Sequence, residues 1–167
     1  MISAEMSAAN EVSIREFMPG DAASFRRLNE EWIERHFAIE PKDEEVLSDP
    51  EGKILGRGGK IFLAVIGGQA LGCCALVPLE DGEFEIAKMA VTESVRRAGI
   101  GRKLLLVAIA AARSMGGTHV WLETNHTMTP AIRLYESVGF RHIAPERFKP
   151  SLYARSDVQM EFKLSNR

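Results

Sequence analysis

The chain has almost nothing with which to cross-link itself. It holds two cysteines, Cys73 and Cys74, adjacent in an apolar run. That excludes a disulfide-rich fold, and no His/Cys spacing resembles a zinc site. The pair reads as two small buried hydrophobes. Charge of one sign is also lacking. The net charge is −2, so no overall basic field exists to draw nucleic acid or an anionic membrane. Long hydrophobic runs are missing too. The longest, residues 104–112, is too short to span a bilayer. Residues 1–11 show neither the basic start nor the apolar segment of a signal peptide. The expectation is a protein of the reducing cytoplasm with no metal, no nucleic-acid partner and no membrane partner.

What is present fits one domain of 167 residues with a sizeable core. Residues 1–11 read as a disordered tail and 12–167 as a single domain. Residues 12–17 alternate like a strand. Asp21 is placed to cap a helix running to about Phe37, with Phe25, Leu28, Trp32 and Ile33 on one side. Pro41 breaks it, and residues 42–47 suit a short second helix. Residues 60–66, 70–79 and 83–91 read as three strands joined by Gly67-Gly68 and Asp81-Gly82 turns. A helix is expected from Gly99 to Met115, then a strand over 119–124. Thr129-Pro130 reads as N-cap and first residue of a helix that Gly139 ends. Residues 140–143 and 158–164 would be the last strands. The pattern is an α+β fold: an antiparallel meander, then one strand–helix–strand crossover that pairs 83–91 with 119–124 in parallel.

The stretch "VRRAGIGRKLL", residues 95–105, joins strand to helix. The first turn of a helix carries unpaired N–H groups and partial positive charge, and glycine lets an anion approach the backbone. Arg96, Arg97, Arg102 and Lys103 add fixed charge. The segment therefore suits a pyrophosphate. A P-loop is excluded, since no G-K-[ST] occurs. A dinucleotide fingerprint fits poorly, because Leu104 stands where a third glycine belongs and no first βαβ unit precedes it.

The segment Arg96-Arg97-Ala98-Gly99-Ile100-Gly101 fits the pattern [RQ]-x-x-G-x-[GA]. "EIAKMAV" precedes it and "AIRLYESVGF" follows it, in order and with suitable gaps. In these features the chain resembles the GNAT superfamily of N-acetyltransferases from residue 12 to 164, most closely over 83–140. The resemblance implies a mostly antiparallel sheet of six to seven strands with about four helices on its faces. It implies that strands 83–91 and 119–124 splay apart, and that acetyl-CoA lies in the gap as co-substrate. Met89, Ala90 and Val91 would then offer backbone groups to the pantetheine arm. The N–H groups of Arg96, Arg97, Ala98, Gly99, Ile100, Gly101 and Arg102 would face the pyrophosphate. Tyr135 in "LYESVGF" matches the family's general acid, with a core tyrosine as the alternative.

Two glutamates match bases used in different branches of the family: Glu85, and Glu123 twelve residues before Tyr135. For each, a salt bridge with Lys88 or a solvent-facing edge is the alternative. Many members carry an asparagine where this chain has Met128. Asn125 stands three earlier, either for a cofactor hydrogen bond or to cap the loop. The acceptor would be a primary amine of a small molecule or peptide. Glu30, Glu31, Glu34, Glu40, Asp43, Glu44 and Glu45 make the first helices acidic, which would attract a cationic amine. Tyr153 and Arg155 are placed to reach an acceptor carboxylate. A homodimer is compatible with this reading. A second class of function stays open: a non-catalytic acyl-CoA-binding sensor, which would need neither Tyr135 nor a base.

Overall fold

The computed structural model describes residues 11–165, and of Arg96, Arg97 and Ala98 the backbone alone. The tail expected over 1–11 lies, Glu11 excepted, outside the described residues. The elements run β1 (Ser13–Glu16), α1 (Ala22–His36), α2 (Pro41–Ser48), the one-turn α3 (Pro50–Lys53), β2 (Lys60–Ile66), β3 (Gln69–Pro78) and β4 (Glu83–Val91). After a 3₁₀ segment at Glu93–Ala98 come α4 (Ile100–Ser114), β5 (His119–Thr124), α5 (Thr129–Val138), β6 (Arg141–His142) and β7 (Val158–Lys163). The seven strands form one sheet in the order β1-β2-β3-β4-β5-β7-β6. Only β4 and β5 pair in parallel. This is the mixed, mostly antiparallel sheet with a single crossover that the element order implied.

Strand alternation divides the core in two. Phe62, Ala64, Phe84, Ile86, Val120 and Leu122 face α4, which meets them with Ile100, Leu104, Leu105 and Ala108 at helical spacing. Ile61, Leu63, Cys73 and Ala75 face the other way, onto Phe25, Leu28 and Ile33 of α1 and Leu47 of α2. The adjacent cysteines thus lie in opposite cores, both buried and free. Between β2 and β3 the turn at Gly67-Gly68 has φ of 55° and 78°. Both are left-handed values, which a two-residue hairpin with the right twist requires.

Two caps differ from expectation. Asp21 does not cap α1 with its side chain. Its carboxylate accepts instead from the Met18 N–H at 2.7 Å and from the Arg15 guanidinium, whose charge makes it a stronger donor than a helix N–H. Thr129 lies inside α5 and Met128 takes the N-cap, with no side-chain bond. α2 begins on a reciprocal cap: Glu40 is N-cap, Pro41 is first in the helix and Asp43 bonds back to the Glu40 N–H at 2.9 Å. The strand expected over 140–143 shrinks to two residues. A long loop after it runs back over the site.

Candidate active site

β4 and β5 pair only at Glu83↔His119, Phe84↔Val120 and Glu85↔Trp121. Beyond Glu85 the two strands part, and no described strand covers the β5-side edge of β4 from Ile86 to Val91. A cavity of about 100 Å³ opens there and crosses the sheet. Tyr135, Leu122 and Met89 line it from the α4–α5 side. Asn29, Trp32 and Phe37 line it from the α1 side.

A β-bulge shapes this opening. Ala75 pairs with Ala87 and Cys73 with Ala90, so Cys74 alone opposes two residues, Lys88 and Met89. Lys88 takes φ of 50°, a conformation that costs a non-glycine residue about 1 kcal/mol or more. The Cys73 thiol donates to its carbonyl at 3.3 Å. Phe84 and Ile86 face the α4 core, and unbroken alternation would send Lys88 there too. The bulge turns it to the opposite face. Its ammonium bonds Asp43 at 2.5 Å and the Tyr153 hydroxyl at 3.1 Å, and lies over the Tyr153 ring. Asp43 is fully buried, and Arg155 grips it with two bonds of 2.7 Å. Burial alone would raise the Asp43 carboxyl. Arg155, Lys88 and the Glu40 N–H outweigh it and hold the group at about 2. This cluster ties α2, β4 and the β6–β7 loop together.

Lys88 is therefore committed to Asp43, and the alternative of a Glu85–Lys88 salt bridge is not what forms. Glu85 lies on the cavity wall, and burial and then the neighbouring Glu123 push its carboxyl up to about 7, against the pull of Lys88 and Lys42. Glu123 is on the same wall and is also raised, chiefly by burial. Hydrogen bonds restrain it, among them one from the Ser156 hydroxyl at 3.0 Å. Tyr135 packs its ring against Phe140, with centroids 6.0 Å apart, and burial raises its phenol above the usual value. Its hydroxyl bonds no described residue, and it borders the cavity. Two raised carboxyls and a phenol thus border one opening from opposite sides of the sheet.

At one end of the opening, the first i→i−4 bond of α4 runs from the Lys103 N–H to the Gly99 carbonyl at 3.1 Å. The N–H groups of Ile100, Gly101 and Arg102 precede it. Gly99 has φ of 73°, and a Cβ there would meet nothing within 4 Å, so its bare backbone borders open space. Both features fit a pyrophosphate. Gly101 serves closeness of another kind: a Cβ there would meet Leu134 and Met89 at 3.3 Å. Arg102 is exposed and bonds Ser137 of α5 at 3.2 Å. The side chains of Arg96, Arg97 and Ala98 lie outside the described residues. Met89 and Val91 pack towards α4 and Ala90 towards α1, which leaves their backbone on the open edge.

Asn125 caps its loop. Its amide donates to the Arg155 carbonyl at 2.8 Å and accepts from the Thr127 N–H and hydroxyl at 2.9 and 2.6 Å. The acidic surface expected on α1 and α2 is largely neutralised. Glu30 and Glu44 pair with Arg26, Glu31 with Arg35, Glu45 with Lys42 and Lys53, and Glu40 and Asp43 with Arg155. Arg155 is spent on those two acids, so it is not the free cation expected for an acceptor carboxylate. Lys88 and its bulge are absent from the sequence-based site. Their signal is a phase change: apolar residues fall at 84 and 86, then at 89 and 91.

The Acetyltransferase (GNAT) family profile matches residues 24–140. The chain belongs to that family. It is 38% identical over 79 residues to YjgM, an uncharacterised N-acetyltransferase of Escherichia coli, a match covering 46% of this chain and 47% of that one. The chain thus spans about half the length of this curated relative. A GNAT-family acetyltransferase structure from Staphylococcus aureus superposes with a TM-score of 0.85 at 22% identity, over 93% of this chain and all of that one. A Bacillus subtilis acetyltransferase solved in complex with CoA superposes at 0.70 and 21%, over 93% and 100%. At these identities the structures establish a shared fold.

Proposed function

We propose that this chain transfers an acetyl group from acetyl-CoA to a primary amine of a small molecule or peptide, by direct attack with both substrates bound. The observation that carries the proposal is the cavity through the sheet, which brings Glu85, Glu123 and Tyr135 to the unpaired edge of β4. When bound, acetyl-CoA supplies an activated thioester carbonyl. The N–H groups of Ile100, Gly101 and Arg102 hold the pyrophosphate at the start of α4. The open edge of β4 pairs with the amides of the pantetheine arm, and its N–H groups polarise the thioester oxygen.

Glu85 takes a proton from the acceptor ammonium, directly or through one water, and Glu123 keeps that site a poor place for a second negative charge. The freed amine forms the C–N bond as the C–S bond breaks, Tyr135 gives its proton to the leaving sulfur, and the surplus proton on the new amide nitrogen passes through water to restore the phenol. A phenol ordinarily titrates near ~10 and a thiol near ~8.5, and burial raises the Tyr135 phenol, so it gives up its proton only as the thiolate forms. A sensor that only bound acyl-CoA would not need a raised carboxyl on one side of the gap and an unpartnered phenol on the other. The test is thiol release from acetyl-CoA across a panel of amines, beside calorimetry with acetyl-CoA and NAD. Amine-dependent release and binding of acetyl-CoA alone are expected. Binding of NAD in preference to acetyl-CoA contradicts the proposal.

A further inference from the structure

A second cavity, of about 220 Å³, lies beside the first on the α2 face of the sheet. The two share Glu85, Ala87, Lys88, Glu123 and Tyr153 as a common wall. The larger cavity therefore reaches the proposed base from the side away from Tyr135. Its middle is apolar, made by Val77 and Leu79 at the end of β3, Trp121 of β5 and Leu152 of the β6–β7 loop. Leu152 is 73% exposed, an apolar side chain left open at the rim.

The charges in this cavity are ordered. Glu85 and Glu123 sit at the shared wall, while Lys42, Lys53, Arg57 and Lys149 line the remainder. These four cations face two carboxylates. Lys42 and Lys53 share Glu45, at 3.3 and 3.2 Å, and Lys149 holds Glu83 at 2.8 Å. Arg57 is exposed and pairs with no described residue. The site thus offers anions where an ammonium would react, an apolar middle, and surplus positive charge beyond it.

We infer that the second cavity is the acceptor site, and that the acceptor is an amine carrying an anionic group, carboxylate or phosphate, beyond an apolar spacer. The inference rests on the acetyl-transfer reading for what happens to the amine, but not for which amine binds. Arg57 and Lys53 supply the charge that selects the anion, and Glu85 meets the amine. The cations that do this are not those expected from sequence, because Arg155 is consumed by Asp43 and Glu40.

Calorimetry with coenzyme A present tests this on matched probes: hexylamine, 6-aminohexanoate and 6-aminohexyl phosphate, with benzylamine and 4-(aminomethyl)benzoate as a second pair. The expected result is that an anionic probe binds about tenfold more tightly than its neutral partner at low salt. The better of carboxylate and phosphate identifies the anion. In the double variant Arg57→Ala/Lys53→Ala the advantage should shrink to about threefold or less, with thermal unfolding as the check on the fold. Equal affinity within both series, or no binding by any anionic probe, overturns the inference. Thiol release from acetyl-CoA with the same probes reports separately on the reaction. An anionic preference without transfer leaves this inference standing and sinks the transfer reading. Transfer with no anionic preference does the reverse.

Discussion

Glu85 holds a carboxyl where both burial and a second carboxyl oppose its ionisation, and its partner in the usual sense, Lys88, is turned away to Asp43. With a value of about 7, it is poised to take and release a proton near neutrality. A base works only when ionised, so kcat/KM should rise with pH and level off above about 7. Because Glu123 is coupled to it, that limb belongs to the pair. In Glu85→Gln, kcat/KM should fall by about 10²–10⁴-fold, and the limb near neutrality should vanish with the carboxyl that carries it. A limb that survives unchanged in the variant would assign it to another group. Tyr135 is the acid proposed to match it. Its hydroxyl has no described partner, so Tyr135→Phe should hardly change unfolding while kcat drops by about 10²–10⁴-fold. Acetyl-CoA affinity measured by calorimetry should hold within a few-fold, since the loss belongs to the transition state. Normal turnover in that variant would return Tyr135 to a packing role.

At the scale of elements, β4 does two tasks with one irregularity. Its first residues pair with β5 and close the crossover, and its last residues leave an edge open. The bulge at Lys88 between them changes which face each side chain meets. Most elements were legible in the sequence, because α4 and the three meander strands have clear periods and glycine turns. The bulge was legible only as a phase change in the apolar residues. The pairing of Asp43 was not legible at all, since Arg155 lies 112 residues along the chain and only the folded β6–β7 loop delivers it. The three candidate catalytic side chains were named from sequence and line one cavity, whereas the acidic pull assigned to α1 and α2 was lost to ion pairs, some legible at helical spacing, such as Arg26–Glu30, and others, such as Arg26–Glu44 and Arg155–Glu40, made only by the fold. The Asp43 lock makes its own prediction. Asp43→Ala leaves Lys88, 7% exposed, and Arg155, 16% exposed, without their shared anion. Breaking a buried pair in this way should cost about 3 kcal/mol in denaturant unfolding. A loss below about 1 kcal/mol would mean that water replaces the carboxylate, as at an exposed pair.

At the scale of the whole molecule, a parted sheet lets two substrates reach one point from opposite faces. On the proposed reading acetyl-CoA enters from the α4 side and the amine from the α2 side, and the acetyl group then need not rest on the protein between them. The cysteines could not serve as such a stop. Both are buried, and burial pushes the Cys73 thiol up to about 12 and raises that of Cys74 as well. The central claim is therefore direct transfer within a ternary complex. The measurement that tests it most directly is the initial-rate pattern, with acetyl-CoA and a turned-over amine both varied. Double-reciprocal lines that intersect are the predicted result. Parallel lines, the signature of an acetylated enzyme formed before the amine binds, would contradict it.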